Sequence, residues 1–169
     1  MRRRFLVLCI FALTAGTTSV AHAFFNPANF WSQRFGSTGS ESGNSVAVDP
    51  SGNIYVCGNF SGTVSFGGSS LVSAGGSDIF LAKYSADGMH IWSQRFGGTG
   101  NDAGLAVAVD PFGGIHMTGT FVSPASLGGT NICGPGGLDI FVARYNTNGT
   151  HLWSLGYGSG NSDYGRAIA

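Results

Sequence analysis

Charge is scarce in this chain. Only 9% of its 169 residues are Asp, Glu, Lys or Arg, and the eight basic residues balance the eight acidic ones. Three of the basic residues are Arg2, Arg3 and Arg4, so the remainder carries five basic residues against eight acidic. No basic patch is left to follow a phosphate backbone, which argues against a nucleic-acid partner. Cysteine is also sparse, at three residues. There is no Cys-x-x-Cys or Cys/His cluster of the kind that holds zinc. No apolar run is long enough to span a bilayer, the longest being Phe5 to Leu13. Beyond that run no stretch has a convincing helical period. A Gly-x-Ser-x-Gly nucleophile turn is missing, and glycine runs such as Gly97-Gly98-Thr99-Gly100 precede no helix, so neither a hydrolase elbow nor a phosphate cradle is indicated.

Glycine and aromatics are plentiful. There are 29 glycines, and aromatic content is 12%, too high for a disordered chain. The profile suits short strands joined by glycine turns. The length suggests one domain.

The N-terminus reads as a secretory signal. Arg2 to Arg4 form the positive region, Phe5 to Leu13 the apolar region, and Ala21-His22-Ala23 the small-x-small cleavage pattern, with the cut after Ala23. Arg2-Arg3-Arg4-Phe5-Leu6 loosely matches a twin-arginine signal, but the apolar region favours general secretion. Leu6-Val7-Leu8-Cys9 is discounted as a lipoprotein box because Leu8 is too large and Cys9 too early. The expected location is secreted or cell envelope, either periplasm or cell surface. Export permits a disulfide between Cys57 and Cys133. Two buried thiols are the preferred reading, because the two cysteines occupy different places in the repeat described next.

Trp31-Ser32-Gln33-Arg34-Phe35-Gly36 recurs as Trp92-Ser93-Gln94-Arg95-Phe96-Gly97, and in weaker form as Trp153-Ser154-Leu155-Gly156-Tyr157-Gly158. The period is 61 residues, and 30 of the 61 positions in 31–91 are identical in 92–152. Identity at that level marks a tandem repeat, which is read before any local signal. Within one unit, Leu105 to Val109 predicts a strand, Asp110-Pro111-Phe112-Gly113 a turn, and Ile115 to Phe121 a second strand. Val122 to Leu138 is a Gly/Ser/Pro-rich connection. Asp139 opens a third strand through Tyr145, Asn148-Gly149 signals a hairpin as Asp87-Gly88 does in the other unit, and His151 begins a fourth strand. Apolar residues on both sides of the third strand (Phe80 and Tyr84, Ile79 and Leu81) suggest a sheet covered on both faces.

Four antiparallel strands per unit, in tandem, are what a β-propeller blade requires. The residues Trp92, Phe96, Gly97, Gly98, Asp102, Gly104, Ala108, Val109, Asp110, Pro111, Gly113, Gly119, Asp139, Ile140, Phe141, Ala143, Gly149 and Trp153 resemble the bacterial beta-propeller repeat family labelled SBBP. The first unit matches at Trp31, Phe35, Gly36, Asp49, Pro50, Gly52, Gly58, Asp78, Ile79, Phe80, Ala82, Gly88 and Trp92, and departs at Ser37 and Glu41. The resemblance implies an exported or surface protein and a shape more than a chemistry.

The expected fold is all-β: two tandem four-stranded antiparallel blades of an incomplete β-propeller, preceded by a signal peptide. With the strands of a blade named a to d from the axis outward, the expected order is a signal over 1–23, a leading outer strand and connection over 24–41, one blade over 42–97, a second over 98–158, and the truncated first strand of a third over 159–169. The preferred account of these ends is the N-terminal piece of a longer protein. Copies assembling one ring as a homo-oligomer, if the chain is complete, and a relic reading frame are the alternatives.

No residue is assigned a catalytic, cofactor-binding or metal-binding role. Asp49 and Asp110 begin Asp-Pro-x-Gly turns and are read as turn caps rather than general bases. Asp78, Asp139, Glu41, Asp102 and Asp163 recur in the third-strand and d–a connections; calcium ligation is the alternative to turn capping there. Trp31, Trp92 and Trp153 are read as inter-blade packing rather than sugar platforms. His90, His151 and His116 are read as packing or surface residues. The expected function is a binding or scaffold module acting through the d–a and b–c loops on an unknown ligand, carbohydrate or protein. The alternatives are part of a propeller lyase or glycosidase with its active site in other blades, and a two-blade lectin-like oligomer. Non-repeating His, Arg, Glu or Tyr clustered in one blade would favour the enzyme.

Overall fold

The computed structural model describes residues 31–169; the predicted signal over 1–23 and residues 24–30 of the expected leading strand lie outside the described residues. Among the described residues the chain is all strand and turn, with no helix. One sheet has the order β1 (Glu41–Val48), β2 (Ile54–Phe60), β5 (Asp78–Tyr84), β6 (His90–Gly98), extended at its outer edge by β9 (Ala125–Ser126). A second has the order β7 (Ala103–Val109), β8 (Ile115–Phe121), β10 (Asp139–Tyr145), β11 (His151–Tyr157). A two-stranded ribbon pairs β3 (Thr63–Val64) with β4 (Leu71–Val72). All ladders are antiparallel. The two sheets do not close into a ring among the described residues.

The sheets share one register. Gly43 pairs with Gly58 and Gly58 with Phe80; 61 residues on, Gly104 pairs with Gly119 and Gly119 with Phe141. The bulges fall at equivalent places too, at Gly43/Ser45 and Gly104/Ala106, and at Lys83/Tyr84 and Arg144/Tyr145. The central glycine has a steric reason. A Cβ at Gly58 would lie 1.9 Å from the Ser42 carbonyl oxygen and 2.7 Å from the Phe80 ring; at Gly119 it would lie 2.0 Å from the Ala103 carbonyl oxygen and 2.9 Å from Phe141. Only glycine lets the phenylalanine lie across its neighbouring strand.

The core lies between the sheets. Tyr55, Cys57, Ile79 and Leu81 of the first sheet join Val107, Ile115, Met117, Phe141, Ala143 and Tyr145 of the second in one buried cluster. Each large side chain fully buried there contributes about 1.5–3 kcal/mol. The other face of the first sheet carries Phe60, Phe80, Ala82 and Tyr84, packed with Phe66 and Phe35. All seven residues of β5 are therefore buried, as its two apolar faces predict.

Residues 31–40 depart from expectation. No strand forms over 31–35. The segment is fixed instead by side chains. Trp31 Nε1 donates to the Ala86 carbonyl at 3.0 Å, Gln33 Nε2 donates to the Gly88 carbonyl at 2.8 Å, and the Phe35 ring stacks on Tyr84 at 5.3 Å. Among the described residues no neighbouring strand offers it a ladder. Cys133 also departs from the buried-thiol reading: Cys57 is buried, but Cys133 is exposed on the connection between β9 and β10, and both are free.

Residues 158–169 form no strand, yet they dock as β7 does. The Asp163 N–H donates to the Leu138 carbonyl at 2.7 Å, as the Asp102 N–H donates to Ser77 at 2.8 Å. Gly165 lies against Thr118, Ile140 and Gly119, the second-sheet equivalents of the Cys57, Ile79 and Gly58 that contact Gly104.

Candidate functional site

The two ends of the sheets carry different polar chemistry. At one end lie the Asp-Pro-x-Gly turns and the β5–β6 and β10–β11 hairpins. At the other lie the long connections after β2 and β8 and the segments that follow β6 and β11.

At the turn end, both aspartates cap as the sequence predicts. Asp49 Oδ1 accepts the Ser51 and Asn53 N–H groups at 2.9 Å each, while Oδ2 accepts Asn53 Nδ2 at 2.8 Å and the Tyr55 hydroxyl at 3.1 Å. Burial pushes the Asp49 carboxyl up, but these hydrogen bonds outweigh it and leave it below the ordinary carboxylate range. Asp110 Oδ1 accepts the Phe112 and Gly114 N–H groups at 2.9 and 2.8 Å. Its Oδ2 meets His116 Nε2 at 3.2 Å and Arg144 Nη2 at 3.0 Å. The Gly114 N–H, then His116, the Phe112 N–H and Arg144 hold the Asp110 carboxyl down to about 2.

The second unit thus gathers His116 and Arg144 where the first has Tyr55 and Lys83. Lys83 does not take the aspartate. It lies 5.0 Å over the Tyr55 ring, and its Nζ donates across the interface to the Thr147 carbonyl at 3.2 Å. Thr147 is the repeat equivalent of Ala86, whose carbonyl accepts Trp31 Nε1. Trp92 Nε1 does not reach the Thr147 carbonyl as Trp31 reaches Ala86, and it is buried without a partner among the described residues.

A shallow pocket of about 180 Å³ lies beside Asp110, lined by Phe112, Gly113, Gly114, Arg144, Asn146, Thr147 and Leu152. Phe112 is 93% exposed. The cluster is non-repeating. No serine or cysteine lines the pocket, and a carboxylate held near 2 is a poor general base at neutral pH.

At the loop end, the acids after β6 and β11 tie down their own connections. Glu41 carboxylate oxygens accept the Ser37 N–H at 3.3 Å and the Ser37 hydroxyl. Asp102 accepts the Gly98 N–H at 2.7 Å and the Val122 N–H at 2.8 Å. Asp163 accepts the Ser159 N–H at 2.8 Å and its hydroxyl at 3.0 Å. The three acids and their three donors are 61 residues apart, which is the turn-capping role expected of them. Asp78 and Asp139, which open β5 and β10, are fully buried, as is Asp102. Asp78 Oδ2 accepts the Ala74 N–H, and Oδ1 lies 3.5 Å from Arg95 Nη1. A Cβ on Gly97 would meet both Asp78 and Asp102, so the two carboxylates converge on one glycine. Burial pushes the Asp102 carboxyl up; Asp78 adds to this, while the Gly98 and Val122 N–H groups and Arg95 oppose it.

Of the remaining sequence candidates, Trp92, His90 and His151 pack on neighbouring aromatic rings, whereas Trp31 and Trp153 are exposed. Trp31 lies against Gly88, and Trp92 lies against Gly149 and edge-on to Tyr55 at 6.2 Å. Trp153 is 40% exposed. His90 and His151 sit edge-on to Tyr84 and Tyr145 at 5.8 Å each, with Nε2 at 3.1 Å from Ser93 Oγ and 3.0 Å from Ser154 Oγ. Among the described residues no group of three or more His, Cys, Asp or Glu is placed to hold a metal. The Asp78–Arg95 pair and the Lys83–Thr147 bridge escaped sequence reasoning. Their signal was the 61-residue offset itself, which sets Arg95 opposite Gly156 and Lys83 opposite Arg144.

None of the curated proteins matches the chain. Residues 31–59, which run from the first tryptophan through most of β2, match the family model of the Beta-propeller repeat, SBBP. The all-β fold and the antiparallel sheets agree with this match, in which residues 31–59 are similar to one SBBP beta-propeller repeat.

Proposed function

We propose that the chain is an exported propeller-type module of two four-stranded blades, β1-β2-β5-β6 and β7-β8-β10-β11, that binds a ligand or partner through its loop end. The observation that carries this reading is the shared register of the two sheets, stacked face on face, with the 158–169 segment docked on the second as β7 docks on the first. Repeat sheets stacked in this way present equivalent loops side by side, which builds an extended recognition surface from short units. The turn end is a poorer candidate. Its carboxylates already accept backbone and side-chain hydrogen bonds within their own turns. The long 61–77 and 122–138 connections leave more backbone and more Ser and Asn groups at the loop end. Export rests on the Arg2–Arg4, Phe5–Leu13 and Ala21-His22-Ala23 pattern.

The test has two arms. The full chain is expressed with its own leader in a bacterial host, and the exported protein should begin at Phe24 by mass spectrometry. An uncut chain kept in the cytosol would overturn export. Purified protein is then applied to a glycan array, carbohydrate being the first ligand class to try. Binding should fall at least tenfold on Asn161→Ala, an exposed residue of the segment after β11, and be unchanged by Phe112→Ala. The opposite pattern would move the site to the turn end.

A further inference from the structure

The two d–a connections solve the same electrostatic problem differently. Each sheet buries an aspartate at the start of its third strand, Asp78 in the first and Asp139 in the second, both 0% exposed. Beside Asp78 the chain supplies its own cation, Arg95. The repeat equivalent of Arg95 is Gly156, so no guanidinium reaches Asp139 from that position. Asp139 Oδ2 has the Gly136 N–H at 3.4 Å, and Oδ1 is buried with no hydrogen-bond partner among the described residues. A buried carboxylate with no counter-charge is strongly disfavoured.

The groups around it are oxygen donors. Asp139 Oδ1 presses on Gly158, and Asp163 is bound to the Ser159 N–H and hydroxyl, so the two carboxylates flank the 158–159 peptide. The carbonyl oxygens of Ser159 and Asn161 face Gly136, whose N–H meets Asp139. Three glycines, Gly134, Gly136 and Gly158, crowd this carboxylate so closely that any side chain there would strike it or its neighbours. The acceptors gathered here, carboxylates and backbone carbonyls, suit a hard cation of calcium's size and flexible coordination.

We propose that Asp139 and Asp163, with carbonyl oxygens of the 159–161 loop, form a calcium-class cation site that takes the place of the Arg95 guanidinium at the second d–a connection. The site pins the 158–163 connection to the start of β10. It is independent of export, and it shares the 159–161 loop with the ligand surface proposed above.

Calcium chloride is titrated into the chelator-treated full chain at constant ionic strength, with calorimetry and thermal unfolding read in parallel. The expected result is saturable one-site heat and a rise in the unfolding midpoint, with a smaller response to magnesium, which dehydrates reluctantly. Asp139→Asn and Asp163→Asn should each weaken binding at least tenfold, while Glu41→Gln, the equivalent acid two units away, should leave it unchanged. Should Asp139→Asn fail to fold, Asp163→Asn, which alters a half-buried connection residue, decides the matter. Absence of saturable heat at millimolar calcium in the unaltered chain, or unchanged affinity in Asp163→Asn, overturns the site.

Discussion

Trp92 lies over Gly149, the hairpin glycine of the following sheet, with its Cη2 3.3 Å from where a Cβ would sit. Gly149 has φ +79°, and the same Cβ would lie 2.6 Å from Gln94 Nε2. Both the conformation and the contact require glycine. Gly149→Ala is expected to destabilise the fold by more than about 1 kcal/mol. Urea unfolding checks this, and a midpoint equal to that of the unaltered chain would show that Trp92 and Gln94 do not confine the turn.

Tyr145 donates its hydroxyl to the Leu127 carbonyl at 3.0 Å from a fully buried position, and Tyr84 does the same to Phe66 at 2.9 Å. These bonds anchor the long connections to the third strands. Tyr145→Phe leaves a buried carbonyl without its donor and should lower stability by about 1–3 kcal/mol. Amide exchange should quicken around residues 125–132 before it changes elsewhere; uniform protection would separate the hydroxyl from the connection.

Asp110 makes an acid-limb prediction. Its carboxyl is held at about 2, below its ordinary 3.8, chiefly by the Gly114 N–H and then by His116. A depressed folded value means that its contribution is present above about pH 4 and is lost as pH falls from there toward 2. Thermal unfolding of the chain and of Asp110→Asn should differ at neutral pH and converge as pH approaches 2. A gap that stays constant across that range would assign the effect to shape rather than charge.

The thiols should separate cleanly. Burial pushes Cys57 up to about 12, whereas Cys133 is exposed. Iodoacetamide at pH 8 should label Cys133 in the folded protein and spare Cys57 until denaturant is added, as read by peptide mapping. Equal labelling of both would show that the interface between the sheets opens readily.

Strand positions were legible because period and turn chemistry agreed. Ile115–Phe121 and Asp139–Tyr145 begin and end where alternation, Asp-Pro-x-Gly and Asn-Gly place them. The capping by Asp49 and Asp110 was legible for the same reason, since an aspartate two residues before a free N–H bonds locally. Contacts between units were not. Lys83 bonds to Thr147, 64 residues away, and nothing in the neighbourhood of either residue announces it. The leading segment misled in the opposite way. Trp31 to Gly36 copies the sequence of a true strand at Trp92 to Gly97, but a strand exists only where a partner offers its edge, and identical residues cannot supply one. The lone Asp139 was hidden as well, because a missing arginine is visible only when two units are laid side by side in space.

The pairing of β9 with the end of β6 sets a direction on assembly. Gly97 and Gly98 of the first unit form the ladder that receives Ser126 and Ala125 of the second. The longest connection of the later unit therefore has no backbone template until the earlier sheet exists. Each sheet therefore offers an edge on which the connection of the next can seat. Reversing the two units would leave that edge without its guest.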